Sequence, residues 1–162
     1  MQEYTVCFIQ RNQQLLLLNR IRAPLMGLWN GVGGKIENQE TIEESVLREV
    51  AEETGIEAKQ ADYKGEVICE GTWGKLHLHF FWINLPDKFI YQTPVGTDEG
   101  LLDWKDILWI LHPDNLGIVN NLPVLIPDMM KSDNPQTYHL NYDDMGKIIS
   151  VSINSAIHKI EA

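Results

Sequence analysis

The chain has 162 residues, 44% of them hydrophobic and 22% charged, which suits a single soluble domain with its own core and argues against disorder. Its formal net charge of −10 disfavours stable binding to nucleic acid or to anionic membranes. The longest apolar runs, Leu15 to Leu18 and Asp106 to Leu111, are too short to cross a bilayer, and Met1 to Val6 lacks a signal-peptide pattern. Two cysteines, Cys7 and Cys69, form no CxxC pair, so a cytoplasmic protein with two buried thiols is expected.

In chain order, Tyr4 to Gln10 and Leu15 to Asn19 read as two strands turned at Arg11 to Gln14. Arg20 to Asn30, with Pro24 and Gly27, reads as a loop. Gly31-Val-Gly-Gly34 is too rich in glycine for a core strand and suggests backbone close to a ligand or a packing partner. Thr41-Ile-Glu-Glu44 is a capping box, Ile42, Val46 and Val50 make an apolar stripe with Leu47, and Gly55 is placed to end the helix. Ala61 to Glu70 and Lys75 to Asn84 read as a hairpin turned at Gly71 to Gly74, and Gly100 to Trp104 as a further strand. A helix is expected between about Asp114 and Met130, with limits blurred by Pro123 and Pro127. Tyr138 to Tyr142 and Lys147 to Ile153 close the chain as a hairpin around Asp143 to Gly146. Mixed strands with one strong and one weak helix predict an α+β fold, or an α/β/α sandwich.

Glu49, Glu52 and Glu53 lie at i, i+3 and i+4, which stacks three carboxylates on one helix face about 5–6 Å apart between Cβ atoms. Oxygen ligands so spaced suit Mg²⁺ or Mn²⁺, hard ions that keep waters and bridge to phosphate. The competing reading is a solvated face with Glu44–Arg48 and Arg48–Glu52 ion pairs. Gly33-Gly34-Lys35 is neither a Walker loop, which needs Ser or Thr at Ile36, nor a dinucleotide fingerprint, which needs glycine there.

The stretch from Gly34 to Ile56 fits G-x5-E-x7-R-E-U-x-E-E-x-G-U, U being aliphatic, at every specified position, through Glu40, Arg48, Glu49, Val50, Glu52, Glu53 and Gly55. It resembles the signature of the Nudix hydrolases. That resemblance implies a mixed sheet carrying a catalytic loop–helix–loop, in one domain over residues 1–162. It implies a metal site of Glu49, Glu52, Glu53 and the Gly34 carbonyl, with Arg48 holding a glutamate and Glu40 bracing the loop. Leu15 to Arg20, Gly27 to Lys35 and Thr97 to Trp104 are similar to the MutT-like branch of the family, which makes Glu99 a further metal-linked glutamate. His112-Pro-Asp-Asn115 resembles the base-reading stretch of the oxidised-purine triphosphatases, so Asn30, Asp114 and Asn115 are the expected base readers, while Arg20 and Lys35 are expected to contact substrate. Trp29 and Trp109 are stacking candidates, each more simply a core side chain.

The expected activity is Mg²⁺-dependent hydrolysis of a purine nucleoside triphosphate, oxidised or not, to monophosphate and pyrophosphate, by a monomer or homodimer. The alternatives are another nucleoside diphosphate-X, such as a dinucleoside polyphosphate, ADP-ribose or a capped RNA end, or a non-catalytic nucleotide-binding module. His77 and His79 would share one strand face, and without a recognisable third ligand they read as a surface pair.

Overall fold

A computed structural model describes residues 1–154 and 156–160. The first two strands, β1 (Glu3–Arg11) and β2 (Gln14–Arg20), form a hairpin, and a two-residue strand, β3 (Trp29–Asn30), follows on the edge of β2. Next come α1 (Ile42–Thr54) and the long hairpin β4 (Asp62–Gly71) and β5 (Gly74–Asn84). The short β6 (Val95–Gly96) leads to β7 (Gly100–Asp106), a single-turn α2 (Ile107–Ile110) and α3 (Leu122–Lys131). The chain returns through β8 (Gln136–Tyr142), β9 (Ile148–Ile153) and β10 (Ala156–Lys159).

All strands join one mixed sheet in the order β10-β9-β8-β4-β5-β1-β2-β7-β6, with β3 branching from β2. Among the described residues two strand pairings are parallel, β1 with β5 and β4 with β8; both join strands far apart in sequence. The central strands are apolar on both faces, as a sheet covered on both sides requires. Alternation then sorts their side chains into two cores. Val6, Phe8, Leu15 and Leu17 pack with Ile110, Leu122, Leu125 and Met129 under α2 and α3. Cys7, Ile9, Leu16 and Leu18 pack with Val46 and Val50 of α1 on the other face. The expected sandwich is the one observed.

The capping box of α1 is complete: Thr41 Oγ1 accepts from the Glu44 N–H at 3.1 Å and Glu44 Oε2 accepts from the Thr41 N–H at 2.7 Å. Gly55 closes the helix in the left-handed region at φ 77°. The second long helix departs from expectation. It starts at Leu122 rather than near Asp114, because Asn115 holds residues 111–117 as a turn after α2, its Nδ2 donating to the Trp109 carbonyl at 2.8 Å and its Oδ1 accepting from the Gly117 N–H at 2.9 Å. Pro123 falls in the first turn, where a missing N–H costs nothing. The Asp143–Gly146 turn is explained by Asp143 Oδ1, which accepts from the Met145 and Lys147 N–H groups, both at 2.9 Å. No helix among the described residues is long and apolar enough to cross a membrane.

Candidate active site

The loop before α1 is bound to the first strand. Cys7 and Val32 exchange backbone hydrogen bonds of 2.6 and 3.1 Å, and the Thr5 N–H donates to the Gly34 carbonyl at 2.9 Å. Glycine is required for so close an approach: a Cβ on Gly33 would stand 1.9 Å from the Thr5 carbonyl oxygen, and one on Gly31 2.7 Å from that of Cys7. The lacing delivers Gly34 to the carboxylate face of α1, where a Cβ would lie 2.5 Å from Glu49 Oε1.

Arg48 sits behind this face. Its guanidinium grips Glu40 bidentately (2.7 and 3.0 Å), Glu49 Oε1 at 2.9 Å, Glu52 Oε2 at 3.2 Å and the Lys35 carbonyl at 3.1 Å. These hydrogen bonds hold the Glu40 carboxyl down to about 2, so it stays charged and ties loop to helix. Glu49 and Glu53 are pushed the other way. Burial raises Glu49 against the pull of Arg48, whereas burial, Glu49 and Glu99 together push Glu53 up to about 8. Glu53 Oε2 is buried without a hydrogen-bond partner among the described residues. A buried acceptor without a partner, set among other carboxylates, suits a cation.

A cavity of about 790 Å³ opens beside this face. Its lining joins Arg20, Asn30, Gly34, Lys35, Glu49, Glu52, Glu53 and Glu99 from segments up to 79 residues apart in sequence (Arg20 to Glu99). The rest of the wall is largely apolar, with Val6, Leu76, Leu78, Phe80 and Val119. Asn30 Oδ1 accepts from the Gly31 N–H at 2.8 Å, which leaves its NH₂ as the group for a ligand.

Asp114 and Asn115 do not line the cavity. Asp114 is exposed on the surface turn, and the Asn115 amide is consumed by bracing that turn. Nor do Trp29 and Trp109 line it: Lys105 Nζ lies 4.3 Å from the Trp29 ring centre and 5.2 Å from that of Trp109, a cation–π stack elsewhere on the surface. The asparagine that does reach the cavity is Asn121, just before α3, which the sequence reading passed over. It is 7% exposed and its Oδ1 has no hydrogen-bond partner among the described residues. Burial raises both the Tyr142 hydroxyl and the Cys69 thiol, and the neighbouring Asn121 side chain pulls each of them down. A polar residue two positions before a helix-opening proline was the only signal available.

Residues 1–120 match the model of the NUDIX domain. The chain is 33% identical over 113 residues to the uncharacterised Nudix hydrolase YvcI of Bacillus subtilis, covering 66% of this chain and 67% of that one. It is 30% identical over 103 residues to the mouse oxidised purine nucleoside triphosphate hydrolase (62% and 64% of the two chains). It is 34% identical over 103 residues to the CTP pyrophosphohydrolase of Escherichia coli K12 (63% and 73%). The matched stretch thus spans about two thirds of these relatives' own lengths. Among solved structures, the MutT protein of Bacillus halodurans superposes with a TM-score of 0.74 at 28% identity, over 95% of this chain and 98% of that one.

Proposed function

The chain belongs to the Nudix hydrolase family, whose members act on nucleotides with the help of divalent metal ions, and on that footing we propose that it hydrolyses a purine nucleoside triphosphate, oxidised or not, to the monophosphate and pyrophosphate. The observation that carries the reading is the shared cavity: five carboxylates and two cationic side chains line the same space as an apolar wall and a buried amide. The carboxylates suit a metal-bound polyphosphate and the apolar wall suits a base.

The donor set fits Mg²⁺ or Mn²⁺. It is all oxygen, one of its members has a buried acceptor without a partner, and the glycine beside it leaves no Cβ in the way. Glu49, Glu52, Glu53 and Glu99 would hold the ion with the Gly34 carbonyl, which keeps a second lone pair beside its bond to Thr5. When bound, the ion neutralises the polyphosphate and lowers the pKa of the attacking water. Arg48 fixes Glu49 and Glu52 by hydrogen bonds and so orients the face without touching substrate. Lys35 and Arg20 bind phosphate oxygens, which offsets the −10 charge where the ligand enters. Water attacks the β-phosphorus, the bond from that phosphorus to the α–β bridging oxygen breaks, and the nucleoside monophosphate leaves while pyrophosphate keeps the oxygen of the water.

Base reading falls to Asn30 and Asn121 instead of Asp114 and Asn115. The Asn121 Oδ1 accepts from a ring N–H or exocyclic amine of the base, and Asn30 donates to a ring nitrogen or carbonyl. An amide needs no proton to do this, whereas a carboxylate facing an acceptor would. We take residues 1–162 as one domain working on the cytoplasmic nucleotide pool, as a monomer or homodimer.

The test is pyrophosphate release with Mg²⁺ from 8-oxo-dGTP, dGTP, CTP, ADP-ribose and a dinucleoside polyphosphate, ranked by kcat/KM. A purine triphosphate should lead. CTP ahead of every purine would overturn the base assignment, and no release from any of them would leave a binding module.

A further inference from the structure

On the sheet face that carries α1, opposite the apolar wall of the cavity, three ligand-type side chains meet. His77 and His79 alternate on β5 and project together, and the parallel pairing of β1 with β5 sets Glu3 against His77. Glu3 Oε1 lies 3.1 Å from His77 Nδ1 and 3.0 Å from His79 Nε2, and the three ligand atoms fall within 4.8 Å of one another. The outer nitrogens are occupied as well. His77 Nε2 stands 2.9 Å from Glu66 Oε2, and His79 Nδ1 stands 2.9 Å from the Tyr63 hydroxyl.

Glu66 only accepts, so a neutral His77 that donates to it from Nε2 turns the Nδ1 lone pair toward Glu3, which also only accepts. The Tyr63 hydroxyl can accept from His79 Nδ1 or donate to it, and where it accepts, His79 Nε2 turns a second lone pair toward Glu3. In that tautomer three acceptors converge, an arrangement that a metal ion satisfies, and outward-bonded histidines around a shared centre are the usual surroundings of a metal. Two imidazoles and one carboxylate favour a borderline ion such as Zn²⁺ over Mg²⁺, which prefers oxygen alone. Glu3 is partly exposed, so solvent can supply the fourth ligand.

We propose that Glu3, His77 and His79 form a zinc-class transition-metal site, separate from the glutamate face, with water completing the coordination. The site clasps the start of β1 to β5 and, through Glu66 and Tyr63, to β4. It also abuts the loop that leads into α1, because the Glu3 carbonyl accepts from the Ile36 N–H at 3.0 Å.

The test is a Zn²⁺ titration of chelator-stripped protein against a chromophoric chelator, with Mg²⁺ in excess to occupy the glutamate face. Wild type should take up one equivalent. Glu3→Gln and His77→Gln should each weaken it at least about 10-fold, and Glu66→Gln by about 10–100-fold. Circular dichroism and Mg²⁺-dependent hydrolysis should be unchanged in His77→Gln. X-ray absorption on zinc-loaded wild type needs no substitution: two imidazoles in the first shell support the site, and an all-oxygen shell overturns it. No stoichiometric uptake by wild type overturns it too, as does undiminished affinity in both ligand variants or a loss seen only in Glu52→Gln.

Discussion

Glu53 and Asn121 each keep a buried oxygen without a hydrogen-bond partner, and each oxygen is a cost the folded protein bears until a ligand arrives. For Glu53 the cost depends on pH. Its ordinary pKa of 4.5 is pushed up to about 8 in the folded state, so between those values the folded protein holds a proton that the unfolded chain has lost. Stability of the metal-free protein therefore falls as pH rises from about 4.5, and the penalty is complete above about 8. Glu53→Gln removes the slope. In EDTA at pH 8 the variant should melt several degrees above wild type, at about 2–4 °C per kcal/mol, while its Mg²⁺-dependent kcat falls by about 100-fold or more. A wild-type Tm that does not decline between pH 6 and pH 8 would remove the basis of the first expectation. At the other oxygen, Asn121→Ala should lower kcat/KM on the best purine substrate by about 10–100-fold, the loss of one buried hydrogen bond at about 1–3 kcal/mol. Asp114→Ala should change it little, as the exposed position of that side chain requires. Parallel steady-state kinetics on the two variants decides between these base readers.

Among the elements, the loop of residues 31–35 and α1 act together, the loop setting the distance between strand and helix. Two adjacent glycines separate its two duties. Gly33→Ala brings a Cβ to within 1.9 Å of rigid backbone and should destabilise by several kcal/mol or prevent folding. In Gly34→Ala the nearest atom is the carboxylate end of Glu49, a side chain that can move. That variant should keep most of its Tm and lose most of its Mg²⁺-dependent turnover, which thermal melting and kinetics measured together will test. This element was the most legible in the sequence, because a capping box, an apolar stripe at helical spacing and a terminal glycine are local signals, and the carboxylates ride on them. Asn121 was illegible for the opposite reason. Its burial comes from the sheet and from Tyr142 and Cys69, which only tertiary structure brings to it. Glu3 escaped notice likewise, since the parallel pairing that places it beside His77 spans 74 residues (Glu3 to His77). The two-residue strands β3 and β6 and the single turn of α2 are too short to show any period.

At the scale of the molecule, the match to the family model ends at residue 120, but the structure has no boundary there. Asn121 lies just beyond it, and so does α3, whose Leu122, Leu125 and Met129 fill the core beneath the cavity wall. Farther on, β8 pairs in parallel with β4 from Gly65 to Glu70 and contributes Tyr138 and Leu140 to that core. A fragment of residues 1–120 should therefore lack a cooperative melting transition by circular dichroism and should fail to release pyrophosphate. A fragment that melts sharply and hydrolyses substrate would show that the later elements are ornament. The place of β1 has a consequence for how the chain reaches this state. It precedes both of its neighbours in the chain, yet it lies mid-sheet between β2 and β5, and β5 begins only at Gly74. A chain emerging from the ribosome must therefore hold the β1 edge of the apolar β1 and β2 hairpin bare until more than fifty residues have followed it (Arg20 to Gly74). The glycine loop is laced to that same strand, and the long-range pairing of β1 with β5 makes the interval before β5 arrives the period when chaperone capture matters most.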